Sequence, residues 1–252
     1  METWQYILAI AAGFVAGIIN TLAGSGSLFT LPLLLFLGLP ANLANGTNRV
    51  GILTQTLVGA ITLYKKGTYK IGKDFYYIIP TVIGSALGAY IATTTPESIL
   101  KITIGSAMLF LLVVLLINYT SLLREVDAPI STLKKYSASP LLFIIGIYGG
   151  FIQLGVGIFT LAALLLVLNL TFMHANALKN IMNFFLTIPA FLIFAYNDQI
   201  NWKLGCVIAI GQTIGAWVAA RYASESKNAS IWIRRLLVVM TLVTALKLFE
   251  II

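Results

Sequence analysis

WQYILAIAAGFVAGIINTLA, at residues 4–23, contains no charged residue. An α-helix rises 1.5 Å per residue and the hydrocarbon core of a bilayer is about 30 Å thick, so this stretch can cross a membrane as one helix. GSGS follows at residues 24–27. Because glycine permits a sharp change in backbone direction, the sequence predicts a membrane-spanning helix that ends in a break.

The composition of the whole chain indicates the same class of protein. Of the 252 residues, 59% are hydrophobic and only 10% are charged, whereas soluble domains carry about 25% charged residues. We therefore predict an all-α integral membrane protein in the cell membrane, with the lipid bilayer as its solvent. The net charge of +8 does not indicate a nucleic-acid partner, because the basic residues lie between apolar segments, as in cytoplasmic loops.

Charges, prolines and glycines divide the chain into ten apolar segments. These are residues 4–23, 27–37, 47–64, 75–92, 99–117, 140–154, 157–168, 175–196, 203–223 and 231–249. The second and the seventh are too short to cross a bilayer as straight helices, so we expect short or broken helices there. The polar stretch 119–139 is predicted to be a cytoplasmic linker. It separates a first transmembrane repeat, residues 1–118, from a second, residues 140–252.

The two halves share three sequence blocks in the same order. The matched blocks are GSG at 24–26 and GVG at 155–157, ANGTN at 44–48 and ANALK at 175–179, and GSALGA at 84–89 and GQTIGA at 211–216. Three matches in order indicate a duplicated unit of about five segments. Many transporters are built from such repeats.

The distribution of lysine and arginine favours inverted halves. If all ten segments cross, twelve of the 16 basic residues face the cytoplasm; if the short segments re-enter and the halves are parallel, only nine do. Cytoplasmic loops are enriched in Lys and Arg, so we predict ten crossings. Residues 65–73, 118–139 and 224–228 are then cytoplasmic, whereas residues 94–97 and 197–201 are external.

Acidic residues are absent from the middle of every segment. All eight lie in loops or at segment ends, and the chain has one histidine and one cysteine. Cation and proton pathways usually place Asp or Glu at membrane depth. A membrane-embedded enzyme would need a nucleophile with its base, or a set of metal ligands. We therefore predict that the protein is not an enzyme and has no metal site.

The first break is a candidate anion site. A helix that starts inside a protein exposes unpaired N–H groups and a partial positive charge, and both attract anions. The alternative is that the glycines only allow close helix packing, as we expect for Gly13 and Gly17. Polar residues beside the break favour the binding role, which a non-transporting scaffold would not need. The predicted substrate contacts here are Asn20, Ser25 and Ser27, and the predicted helix-break positions are Gly24, Gly26, Gly155 and Gly157.

A second set of candidates lies at the starts of the third and eighth segments. Asn48 and Arg49 are expected in the first turn of one, and Lys179 and Asn180 in the first turn of the other. The alternative is that the two cations extend to the membrane surfaces. Of the two, Lys179 is the preferred anion contact, because the break in its half lacks the serines. Gln153 is a further predicted substrate contact, although an amide there could instead bridge helices.

These motifs resemble the sulfite exporter TauE/SafE family, also called the toluene sulfonate uptake permease family. The resemblance is carried by GIINTLAGSGS at 17–27, LP at 31–32, GLP at 38–40, ANGTN at 44–48 and GGFIQLGVG at 149–157. Val156 and Ile158 stand where the first half has Ser25 and Ser27, so a symmetric site is not expected.

The resemblance implies a multi-pass permease for a small sulfur-containing anion, such as sulfite or an organosulfonate, with export as the expected direction. It implies no organic cofactor. A permease for another small anion or sulfur compound is the alternative. The expected partners are the anionic substrate and the lipid bilayer, and the sequence leaves open whether the chain forms a homo-oligomer.

Overall fold

The computed structural model of the chain describes residues 3–67, 76–116 and 132–222, and every regular element within these ranges is helical. The α-helices are α1 (Thr3–Ala23), α2 (Ser27–Phe36), α3 (Ala41–Lys65), α4 (Ile78–Thr94), α5 (Glu97–Leu116), α6 (Thr132–Phe151), α7 (Val156–Leu166), α8 (Phe172–Tyr196) and α9 (Trp202–Tyr222). The tenth predicted segment lies outside the described residues, as do residues 224–228 and most of the other two predicted cytoplasmic stretches.

Four of these helices are long and apolar enough to cross a membrane. They contain the spans Trp4–Ala23, Glu97–Val114, Phe172–Tyr196 and Trp202–Tyr222. Large apolar side chains, including Ile83, Ile102 and Phe110, are exposed on the outer helix faces, as expected where a protein contacts lipid rather than water. The prediction of an all-helical membrane protein is confirmed.

Two helices begin earlier than the sequence predicted. α3 begins at Ala41, directly after Pro40, and α8 begins at Phe172. Pro40 is the N-cap residue, where the missing N–H removes no hydrogen bond, because the first N–H groups of a helix have no partner within it. The expectation that Arg49 and Lys179 lie in first turns is therefore wrong. Both lie about two turns inside their helices.

The helix α6 also begins earlier than expected, at Thr132 rather than residue 140. It therefore occupies the last part of the stretch predicted as a linker, and Pro140 lies inside the helix. From the sequence, this proline was predicted to be the start of a segment. Proline is tolerated within transmembrane helices because neighbouring groups satisfy the freed carbonyl.

Helices from different halves of the chain pack in close pairs. α1 packs against α9, and α4 packs against α6. Both contacts are built on glycine: a Cβ on Gly17 would overlap the backbone of Gln212, and a Cβ on Gly150 would overlap the backbone of Ser85. Small residues allow such close approach of helix backbones. The two halves are therefore interlocked, with α3 and α8 in contact at the centre.

The two helix breaks meet at this centre. One separates α1 from α2, and the other separates α6 from α7. Gly24 has a φ of +76°, and a Cβ there would overlap the backbone of Gly157. Only glycine combines this left-handed conformation with room for a crossing backbone.

Candidate functional site

A cluster of buried polar side chains surrounds the crossing of the two breaks. Its members are Asn20, Ser25, Ser27, Thr30, Asn45, Asn48, Arg49, Gln153, Asn176, Lys179, Asn180, Asn183 and Thr187. The buried side chains of the described ranges include no carboxylate. Buried polar groups must find partners or they destabilise the fold, so each contact in this cluster is informative.

Arg49 is completely buried and binds the end of α6 from the other half of the chain. Its Nη1 donates to the Gly149 carbonyl at 3.2 Å and to Gln153 Oε1 at 2.9 Å. Its Nη2 donates to the Gly150 carbonyl at 2.5 Å, and the guanidinium carbon lies 4.4 Å from the centre of the Phe194 ring. The guanidinium thus satisfies carbonyls that have no partner within their own helix.

Lys179, in the second half, binds the end of α1, in the first half. It is completely buried, and its Nζ donates to the carbonyls of Asn20 at 3.2 Å and Thr21 at 3.1 Å. A third bond runs to Asn176 Oδ1 at 2.6 Å. An ammonium group has three N–H donors, so these acceptors use all of them.

Both cations therefore neutralise the partial negative charge at the end of a broken helix. The dipole of an α-helix places about half a negative charge at its C-terminus. Among the residues that the structure describes, the bonded partners of both cations are carbonyl and amide oxygens, with no carboxylate. Neither cation extends to a membrane surface, which excludes the alternative weighed from the sequence.

The starts of the two short helices also lie at this centre. Gly24 precedes α2, Gly157 is in the first turn of α7, and their backbones are in contact. A helix N-terminus carries about half a positive charge. Two such ends, together with two buried cations, give the interior a positive electrostatic potential.

The predicted serines have different roles. Gly26, not a serine, is the N-cap residue of α2, and no side chain caps that helix. Ser27 Oγ joins the two breaks, since it donates to the Gln153 carbonyl at 3.0 Å and accepts from the Gly155 N–H at 3.0 Å. Ser25 Oγ is buried and has no partner among the described residues. Of the two hydroxyls, only that of Ser25 is free for another ligand.

The predicted amides are each hydrogen-bonded, and Gln153 links the two halves. Gln153 accepts from Arg49 and donates to Thr187 Oγ1 at 2.5 Å. Asn48 Oδ1 accepts from Thr30 Oγ1 at 2.5 Å. Asn180 Nδ2 donates to the Asn176 carbonyl at 2.8 Å within α8. The structure thus gathers the predicted residues in one region, and their role in binding stays a prediction.

Three residues of this region were not singled out from the sequence. They are Thr30, Thr187 and Phe194. Thr187 could have been found, because Asn176, Asn180, Asn183 and Thr187 recur at helical spacing and form one buried polar face of α8. Thr30 and Phe194 gave no such signal, since each lies in an apolar run and acquires its contact only through packing.

A cavity of about 510 Å³ lies apart from this cluster, between α5, α6 and α7. Its lining is apolar and includes Phe110, Ile144, Tyr148 and Phe159. An anion would lose its hydration there without gaining a polar partner, so the cavity is not a candidate for the substrate.

Comparison with known proteins gives a consistent result. The profile of the family described as Sulfite exporter TauE/SafE matches residues 9–248. A probable membrane transporter protein of Haemophilus influenzae is 30% identical over 250 residues, which cover 96% of this chain and 94% of that protein.

Two further relatives carry similar descriptions. The probable membrane transporter protein ORF9 of a Sinorhizobium species is 29% identical over 94% of this chain and 89% of its own length. The probable membrane transporter protein YfcA of Escherichia coli K12 is 26% identical over 98% of this chain and 94% of its own. No solved structure matches significantly.

Proposed function

Since the chain belongs to the sulfite exporter TauE/SafE family of multi-pass membrane transporters, we propose that it is a permease for a small sulfur-containing anion. Sulfite and short organosulfonates are the proposed substrates, and export is the proposed direction. The alternative, another small anion or sulfur compound, uses the same site chemistry.

The observation that carries this proposal is the pair of buried cations, with no buried carboxylate in the part of the chain that the structure describes. A charge buried without an opposite charge is strongly unfavourable. The carbonyls at the ends of α1 and α6 offset only part of it, because a helix end carries about half a charge. An anion that enters the crossing supplies the remaining compensation, whereas a cation is repelled.

The unpaired atoms of the cluster favour Arg49 over Lys179 as the direct anion contact. Lys179 has no spare donor in this structure, but Arg49 Nε is buried and has no partner among the described residues. Ser25 Oγ is likewise unpaired. We propose that these two donors bind the anion, and that Lys179 contributes its charge from behind the carbonyls of α1.

Purified protein in liposomes is expected to transport sulfite or a short sulfonate, and to exclude monovalent cations. The reason is the positive potential at the crossing. The measurement compares the flux of sulfite, sulfate, thiosulfate and C2 sulfonates with that of potassium, against protein-free liposomes. Transport of thiosulfate or sulfate without sulfite or sulfonate would refute the proposed substrates, and a cation flux without anion flux would refute the permease proposal as a whole.

We also propose that the two repeats are inverted, with ten crossings. A hydrogen bond of 3.1 Å from Gln199 Nε2 to the Thr93 carbonyl supports this. It joins Gln199, in the stretch 197–201, to Thr93, directly before the stretch 94–97. These two stretches lie on the same side only if the halves are inverted.

Single cysteines at Thr95 and Asn197 are expected to react with an impermeant thiol reagent from outside, and a cysteine at Lys66 only from the cytoplasm. Lys66 and Asn197 are exposed in the structure, which makes them suitable positions. The endogenous Cys206 is exposed and must first be replaced by alanine. Labelling of Thr95→Cys and Asn197→Cys from opposite sides would show that the halves are parallel.

A further inference from the structure

Two buried glutamines find no hydrogen-bond partner among the described residues at either end of their amides. Gln55 on α3 is 1% exposed and Gln212 on α9 is 0% exposed. The nitrogen and the oxygen of both side chains are unpaired among the described residues. A buried amide without partners is destabilising. A ligand that bonds to both amides in the working protein would offset this cost.

The two amides lie beside the charged cluster. Gly51 faces Gln212, whose Oε1 occupies the space that a Cβ on residue 51 would need. Gln55 follows one turn later on the same stripe of α3, and Gly59 one turn after that. A Cβ on Gly59 would lie 3.4 Å from Asn180 Oδ1 and 3.7 Å from Thr21 Oγ1. This face of α3 therefore extends from Gln212 to Thr21, whose carbonyl binds Lys179. The distance along the helix is about two turns, roughly 12 Å.

At the equivalent positions of the repeat, the polar side chain is already hydrogen-bonded. Counting ten residues on from Asn45 and from Asn176 brings Gln55 and Leu186 to equivalent positions, and the repeat pairs Gln212 with Ser85. Ser85 Oγ donates to the Leu186 carbonyl at 2.5 Å. Ser85 and Leu186 are bonded to each other and need no ligand. The unpaired amides of Gln55 and Gln212 therefore have no counterpart at the equivalent positions of the repeat.

We propose that Gln55 and Gln212 form a binding site for the transported anion in a singly protonated form; this inference rests on the proposed function. The amides present two NH₂ donors and two C=O acceptors. An oxyanion that keeps one O–H, such as hydrogen sulfite, can donate to an amide oxygen while its other oxygens accept. A fully deprotonated dianion cannot use the acceptors, and it loses more hydration energy when it leaves water. A cation cannot use the donors.

Replacing both glutamines with methionine tests the site, because methionine has a similar length without polar atoms. We expect sulfite flux at subsaturating concentration to fall at least about tenfold, since bonds to a charged ligand are lost. We expect the thermal midpoint of the purified variant to stay unchanged or to rise, because unpaired buried amides have been removed. A merely structural role for the amides predicts a lower midpoint instead.

The control at the same helix interface is Thr213→Val. Thr213 Oγ1 donates to Thr54 Oγ1 at 2.9 Å, so this change removes a bond between α9 and α3 without touching the amides. Its sulfite flux is expected to match that of the wild type. Methanesulfonate serves as the second probe, since it is a monoanion without an O–H. Its flux should fall less than that of sulfite in the double variant.

The outcomes separate the two proposals. An absence of anion flux in liposomes that contain the wild-type protein would overturn both proposals. Wild-type sulfite flux that persists in the double variant would overturn the amide site and leave the permease intact. An equal loss of sulfite and methanesulfonate flux would refute the protonated form of the ligand. Loss of flux together with a lowered thermal midpoint would show that the amides only support the fold.

Discussion

Replacing Arg49 with glutamine is expected to abolish transport and to lower the free energy of unfolding by about 3 kcal/mol or more. Glutamine cannot reach the carbonyls of Gly149 and Gly150 that the guanidinium now binds. A buried acceptor left unsatisfied costs about 1–3 kcal/mol, and this change leaves more than one. The end of α6 then lacks its cap, and the anion lacks its proposed donor.

Thermal unfolding in detergent and sulfite flux per folded molecule measure the two effects. Lys203→Gln is the matched control, because it removes a positive charge from an exposed side chain at the start of α9. That control also removes the contact of Lys203 Nζ with the Tyr6 ring, 5.0 Å from its centre, so it should change stability by no more than about 1 kcal/mol. Arg49→Lys keeps the charge but loses the planar fork, so it should recover part of the stability.

The variant Lys179→Gln tests which of the two cations contacts the anion directly. The sequence favours Lys179 as the contact, with about a tenfold loss of apparent affinity on substitution, whereas the pattern of free donors favours Arg49. If Lys179→Gln raises the half-saturating concentration of sulfite and Arg49→Gln does not, Lys179 is the direct contact, as the sequence predicts. Wild-type stability and flux in Arg49→Gln would remove both proposed roles of that residue.

Substitution of Gly24 by alanine is expected to eliminate flux, and valine should do the same. Gly24 has a φ of +76°, which costs a residue with a Cβ about 1–2 kcal/mol. The added Cβ would also overlap the backbone of Gly157, and backbone atoms cannot move aside as a side chain can. The two breaks would have to separate, which would open the proposed site.

Gly38→Ala is the control for backbone strain. Gly38 has a φ of +87°, but an added Cβ would meet nothing within 4 Å. This variant therefore carries a similar conformational penalty without the clash, and its flux should stay close to that of the wild type. Membrane abundance and flux are measured for both variants. Normal flux in Gly24→Ala would mean that the contact between the two breaks is not required for transport.

Local features of the sequence were sufficient for the class of protein and for the positions of the breaks. The uncharged run 4–23 is a helix because its apolar length suits a bilayer, and the glycines at 24 and 155 interrupt helices because they tolerate positive φ. The boundaries were less accurate. Polar residues at 45–49 suggested a segment end, yet they lie inside α3, because neighbouring helices supply the partners that water would otherwise supply.

The partners of the polar groups could not be read from the sequence. Arg49 binds carbonyls about 100 residues away, and Lys179 binds carbonyls about 159 residues away. Gln55 and Gln212 lie on α3 and α9, which pack against each other, and neither has a partner within the described ranges. Hydropathy and backbone preference act over a few residues and so specify each helix. Which helix end meets which cation depends on close packing between helices distant in the chain, and that is decided only in the folded bundle.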